Sequence, residues 1–227
     1  MKRIFCISLF FVYISCVFAQ GDVTKFLGIP VDGYKSEMIQ KLKAKGYQYN
    51  AAQECLTGEF NGRDVNIFIG TNNNKVYRIM VADANYVSEG DIIIRFNTLC
   101  QQFEKNERYI KPSFDDYTIS SSEDISYEMT VHNKRYQASY YQVNQKLDSA
   151  TLAAKMEQYM RTKYGTDEEI AKMSDDDRVS MLADMMVFGI ELYSDNSVWF
   201  MISEHYGRYG ILLFYDNKKN QANGDDL

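Results

Sequence analysis

Hydrophobic residues are most concentrated, after the N-terminus, in residues 187–217, where three runs rich in Val, Ile, Tyr, Phe and Trp are separated by turn-forming clusters. This pattern predicts a meander of antiparallel strands. In the second run Val198 and Phe200 share one face and Trp199 and Met201 the other, because side chains alternate along a strand. Since both faces are apolar, we expect this part of the sheet to be covered on both sides.

The first half of the chain has the patterns of helices packed on a second meander. After an extended segment at 26–31, the pattern predicts strands at 48–60, 64–70 and 75–82 and helices at 36–45 and 88–105. Asn61-Gly62 is the strongest hairpin signal in the sequence, because both central positions of a type I′ turn need a positive φ.

The second half begins after a polar stretch at 113–124. We expect strands at 126–131 and 136–143, followed by three helices at 148–165, 167–173 and 175–186. These helices form an insertion that we expect to pack over the strands of 187–217. The whole pattern predicts an α+β fold with a mainly antiparallel sheet, as one domain at 20–227 whose halves are about 22–111 and 112–227.

Three short motifs carry a resemblance to known proteins. They are Phe-Leu-Gly-Ile-Pro-Val-Asp-Gly at 26–33, Leu-Thr-Gly-Glu-Phe-Asn-Gly at 56–62, and the ending Tyr-Asp-Asn-Lys-Lys-Asn at 215–220 with Asn-Gly-Asp-Asp-Leu at 223–227. With them the chain resembles a family of uncharacterised exported proteins of Gram-negative gut anaerobes, and the similarity covers most of the chain after residue 19. That family implies no activity.

The order of elements in the first half, with its Gly-Ile-Pro-x-x-Gly lead-in, is also similar to small envelope modules of the β-lactamase-inhibitor-protein-like kind. This second resemblance implies a role in protein recognition or envelope assembly. A fold alone does not define a function, so it gives an expectation only.

Residues 1–19 have the features of a secretory signal peptide. Lys2 and Arg3 precede an apolar core, and Val-Phe-Ala at 17–19 is a cleavage motif before Gln20. We therefore expect an exported protein, periplasmic or secreted. In a competing interpretation, residues 13–16 form a lipobox and Cys16 is lipid-anchored, although Tyr13 suits that motif poorly.

Hydropathy argues against a transmembrane segment, and charge argues against nucleic acid as a partner. No later run approaches the ~20 apolar residues of a membrane span, so we expect no transmembrane segment once the signal is removed. The formal charge is -6 and Lys and Arg are not clustered, which argues against nucleic acid as a partner.

After removal of the signal only Cys55 and Cys100 remain. In an oxidising compartment they could form a disulfide that closes a loop of about 45 residues and stabilises the fold by roughly 4 kcal/mol. Alternatively, they are two separate buried thiols that act as small apolar side chains.

Catalytic, metal and cofactor signals are absent from the sequence. His132 and His205 lie in predicted turns without neighbouring ligands, and the acidic run at 175–177 is explained by the positive end of a helix dipole. We expect no catalytic residue, metal site or cofactor.

The remaining candidate is an aromatic surface on the strands. It consists of Tyr136, Tyr140, Tyr141, Tyr193, Trp199 and Tyr209. Aromatic side chains on strands either pack within the sheet or form a platform that recognises proteins or glycans. Because the chain has an export signal and no catalytic constellation, the leading hypothesis is a non-enzymatic binding module for an envelope protein or glycan. The alternatives are a hydrolase of envelope or dietary polymers with paired carboxylates, and a structural envelope protein.

Overall fold

The computed structural model describes residues 23–144, 149–222 and 224. The expected signal peptide at 1–19, with Cys16, lies outside these residues. No helix within them is long and apolar enough to cross a membrane.

The described residues form ten strands and six α-helices, which confirms the predicted α+β class. The strands are β1 (Lys25–Phe26), β2 (Ile29–Pro30), β3 (Gln48–Asn50), β4 (Cys55–Phe60), β5 (Arg63–Asn72), β6 (Lys75–Asp83), β7 (Tyr109–Ile110), β8 (Gln137–Gln142), β9 (Ser197–His205) and β10 (Arg208–Asp216). The helices are α1 (Lys35–Ala44), α2 (Glu89–Glu104), α3 (Ile125–Val131), α4 (Ser149–Tyr164), α5 (Asp167–Ala171) and α6 (Asp175–Glu191).

Eight strands form one antiparallel sheet in the order β3-β4-β5-β6-β10-β9-β8-β7, and β1 and β2 form a separate hairpin. The sheet consists of two four-strand meanders, each running from an outer edge to the centre, where β6 pairs with β10. A helix precedes each meander, α1 before β3 and α2 before β7. The second meander therefore repeats the first about an axis through the central strand pair, and both halves share one sheet.

One face of the sheet is covered by α1 and α2 and forms the core. The register places Val81, Leu213 and Phe200 side by side on this face, and all three are buried. Phe96 and Phe103 of α2 pack on Phe200 with ring centroids 5.0 and 5.6 Å apart. We call this side of the sheet the helix face and the other side the open face.

Two segments predicted as strands are helical. Residues 126–131 belong to α3, because the side chain of Asp124 accepts a hydrogen bond from the Tyr127 amide and caps a helix there. Residues 187–191 are the end of α6, which begins at the Ser174 cap and continues through this apolar run. A short apolar run fits a strand or a buried helix equally well, so periodicity could not decide. The predicted strand 48–60 is divided into β3 and β4 by a turn.

The insertion does not cover the sheet, so that expectation was wrong. Helices α4 to α6 contribute no buried side chain, and they pack mainly on each other. The rings of Tyr159 and Phe188 stack there with centroids 4.1 Å apart. Because these helices pack on one another rather than on the strands, the open face keeps half-buried side chains.

A buried ion pair fixes α2 to the centre of the sheet. Arg95 donates two hydrogen bonds to the Asp83 carboxylate, at 2.7 and 2.5 Å, and both side chains are almost fully buried. The same carboxylate accepts a hydrogen bond from the Ile211 amide at 3.0 Å, which ties the end of β6 to β10.

We expect Asp83→Ala to lower the free energy of unfolding by about 3–5 kcal/mol, because it leaves Arg95 buried without a counterion. Urea denaturation followed by circular dichroism measures the change. Asp64→Ala, at an exposed carboxylate on β5, is the control and should cost less than about 0.5 kcal/mol. Similar losses for the two variants would contradict a special role for Asp83.

Candidate functional site

The open face presents a compact group of apolar side chains on four adjacent strands. They are Phe68, Met80, Trp199, Met201, Leu212 and Phe214. Phe214 is buried among the others, and the other five are half-buried. Strand pairing produces the group, since alternate residues of β5, β6, β10 and β9 come into one register. We call it the apolar group of the open face.

One row of this group crosses the sheet from Met80 through Phe214 and Trp199 to Ser139. The rings of Phe214 and Trp199 stack nearly parallel, at 16°, with centroids 4.0 Å apart. Phe214 therefore covers one side of the indole, whereas the neighbour on the other side of the row is the small Ser139.

A buried carboxylate organises the polar part of the face. Asp216 accepts hydrogen bonds from Arg78 Nε at 2.6 Å, from Arg78 Nη2 at 2.8 Å and from the indole N–H of Trp199 at 2.9 Å. The hydrogen bond to Asp216 is the main cause that raises the pKa of Arg78 above its usual value, against the opposing effect of burial. Arg78 thus stays charged while its carbon atom Cζ lies 5.0 Å from the Phe214 ring centroid.

This arrangement can recognise a partner by two kinds of contact. The apolar side chains offer surface that loses water on binding. Arg78 is 29% exposed and uses Nε and Nη2 for Asp216, so among the described residues Nη1 has no acceptor. The partly exposed guanidinium can therefore bind an oxygen acceptor of a partner.

The six aromatic residues predicted as one surface are divided between the two faces. Trp199 and Tyr141 are half-buried on the open face, and Tyr193 is half-buried in the turn before β9. Tyr136, Tyr140 and Tyr209 are buried, with exposed fractions of 6%, 0% and 2%, so they cannot belong to an exposed surface. The prediction for these three was wrong because alternation shows which residues share a face, but not which face the helices cover.

Arg78, Asp216 and Phe68 were not among the predicted site residues. Arg78 and Asp216 are 138 positions apart in sequence and meet only because β6 pairs with β10. The alternation of apolar residues along β10 was a usable signal, since it places Leu212 and Phe214 on the same face of the strand, but it does not show which face the helices cover.

Neither histidine belongs to a group of metal-binding side chains among the described residues. His132 ends α3, where its Nδ1 lies 2.9 Å from a Glu128 carboxylate oxygen, and His205 is exposed at the end of β9. Across the described ranges no group of three or more His, Cys, Asp or Glu side chains could hold a metal ion. The acidic run at 175–177 forms the exposed first turn of α6.

Three carboxylates meet in one small polar cavity of about 210 Å³, which Glu59, Asp64 and Asp83 line together. Asp83 is held by Arg95, and Asp64 accepts a hydrogen bond from Asn85 at 3.4 Å. Outside this cavity, hydrogen bonds lower the pKa of Asp116 and of Glu123. A general acid of a glycosidase needs a raised pKa, so neither of these two groups is a candidate for that role.

Cys55 and Cys100 are free thiols in the structure, and both are buried. Burial is the main cause that raises the pKa of Cys100 to about 11. This arrangement corresponds to the second of the two alternatives for the cysteines.

Comparison with known proteins identifies no relative of this chain. No protein-family model matches it, and no significant match is found among curated proteins or solved structures.

We expect a thiol reagent such as Ellman's reagent to detect no fast-reacting thiol in the folded chain from Gln20 onward at pH 8. Burial shields both cysteines from the reagent. A pKa of about 11 also means that Cys100 has very little thiolate at pH 8. After unfolding in denaturant without a reductant, both thiols should react. A count of zero in the unfolded chain would show that they are joined in a disulfide.

Proposed function

We propose that this chain is a non-enzymatic binding module that captures a partner protein on its open face. The observation that supports this proposal is the apolar group of the open face, which stays half-buried while both core helices lie on the other side of the sheet. Trp, Met, Phe and Arg are the residue types that dominate protein interfaces, and here they adjoin one another on rigid strands.

A protein fits this face better than a glycan. Phe214 occupies one ring face of Trp199 and Asp216 takes its N–H, so one ring face and no indole donor are left for a sugar. Met80, Met201 and Leu212 add apolar surface without hydrogen-bonding groups, which suits a protein. The partner that we propose presents apolar side chains to the central strands and a carboxylate or carbonyl oxygen to Arg78. The predicted signal peptide and the resemblance to envelope modules support the cell envelope as the place where this occurs.

A photo-crosslinking amino acid at position 201 tests the proposal in the envelope of the source cells. We expect a discrete adduct with one protein, because Met201 lies in the apolar group. The matched control carries the crosslinker at position 114, where Phe114 is 84% exposed and lies outside the open face. That control should give no such adduct.

Competition shows whether the adduct reports the open face. An excess of wild-type chain should abolish the adduct, whereas Leu212→Lys should compete at least about tenfold less well, since a charge replaces apolar surface in the contact. Circular dichroism checks that the variant is folded. Equal competition by the variant and the wild type, or the same adduct from both crosslinker positions, would refute the proposal.

A further inference from the structure

A cleft lies on the helix face, on the opposite side of the sheet from the proposed protein-binding surface. Two cavities of about 410 and 510 Å³ meet there, and they share Leu27, Phe60, Tyr109 and Tyr215 as lining residues. The cleft lies between the β1–β2 hairpin, the end of α2 and strand β7. Its volume is within the range of about 300–1,000 Å³ typical of small-molecule sites.

The first cavity has a mixed lining, and its tyrosine hydroxyl groups are already engaged. Leu99, Phe103 and Leu213 form apolar walls, beside the polar residues Asn61, Gln102 and Asn106. The Tyr47 hydroxyl donates to the Glu59 carbonyl oxygen, while Tyr109 is hydrogen-bonded both to Gln142 and to the buried Tyr215. A ligand in this part of the cleft therefore meets three apolar walls and hydroxyl groups that already have partners.

The second cavity ends in two cations. Lys25 and Arg108 both line it, and neither side chain has a hydrogen-bond or ion-pair partner among the described residues. No acidic side chain of the described ranges lines this cavity, and Glu59 lies in the first cavity only. The cleft therefore combines apolar walls in the first cavity with a positively charged end in the second.

Backbone contacts fix both cationic residues in place. The Gln142 carboxamide accepts a hydrogen bond from the Lys25 amide at 2.6 Å and donates one to the Lys25 carbonyl oxygen at 2.9 Å. The amide of Val143 donates to the Arg108 carbonyl oxygen at 2.7 Å. The β1–β2 hairpin and the chain before β7 are thus both held against the end of β8, which brings the backbone of Lys25 and the backbone of Arg108 to the same end of the cleft.

The backbone conformation of Leu27 is an independent observation in favour of a ligand site in the cleft. It has a φ of 51° in the turn of the β1–β2 hairpin, before Gly28 with a φ of 81°. Asn or Gly is normal at such a position, and a leucine there is strained. The Leu27 side chain is 38% exposed and lies where the two cavities meet. The strain is explained if the side chain serves as a wall of the cleft.

We propose that this cleft binds a small amphipathic monocarboxylate, with its apolar chain along Leu27, Phe103 and Leu213 and its carboxylate between Lys25 and Arg108. Charge complementarity selects an anion, and the engaged hydroxyl groups of the interior select an apolar tail. The site is independent of the proposed protein-binding face, because it lies on the opposite side of the sheet.

Isothermal titration calorimetry with decanoate tests this proposal, with 1-decanol as the uncharged counterpart. We expect decanoate to saturate at one molecule per chain and to bind at least about tenfold more tightly than 1-decanol. The double variant Lys25→Gln/Arg108→Gln should bind decanoate no more tightly than it binds 1-decanol. Lys172→Gln, which removes a remote exposed charge, should leave binding unchanged.

Leu27→Asn separates a binding role from a structural one. Asparagine tolerates the positive φ, so this variant should unfold at a higher urea concentration than the wild type while it binds both probes several-fold more weakly. Absence of saturable decanoate binding to the wild type, or unchanged binding by the Lys25/Arg108 double variant, would overturn the proposal. Unchanged binding by a stabilised Leu27→Asn variant would also overturn it.

Discussion

The pairing of β6 with β10 is the interaction on which the rest of the molecule depends. Each strand is the last of its meander, so only this ladder joins the two halves into one sheet. Both strands end in a buried aspartate that accepts two hydrogen bonds from an arginine. Asp83 faces the helices and holds α2, whereas Asp216 faces the open side and holds Trp199. The two central strands thus each use a buried aspartate as a hydrogen-bond acceptor, one to position a core helix and the other to position a surface indole.

Much of this fold could be predicted from local sequence pattern. The Asn61-Gly62 hairpin was correctly expected, since both residues have positive φ, and the Ser88, Thr166 and Ser174 caps mark true helix starts. These signals act over a few residues, so a single sequence reveals them. Residues 187–191 show the limit, because a short apolar run gains similar burial as a strand or as the end of a helix.

The candidate sites could be predicted only in part, because they depend on long-range register. Trp199 was identified as an aromatic strand residue, but its partner Asp216 comes from the next strand, and Arg78 comes from the other half of the chain. The cleft on the helix face is harder still, since Lys25 of β1 and Arg108 before β7 line the same cavity although they are far apart in sequence. Local pattern fixes which residues alternate, whereas the layer that covers each face depends on the packing of helices far away in sequence.

The position of Trp199 gives the molecule an intrinsic optical reporter. It is the only tryptophan of the chain, so indole emission comes from one place, the open face. Its ring is stacked on Phe214, its N–H is bonded to a carboxylate, and a guanidinium lies nearby. Changes in water or charge around the face therefore alter the emission wavelength and intensity directly, and the unlabelled protein reports the occupancy of its own surface.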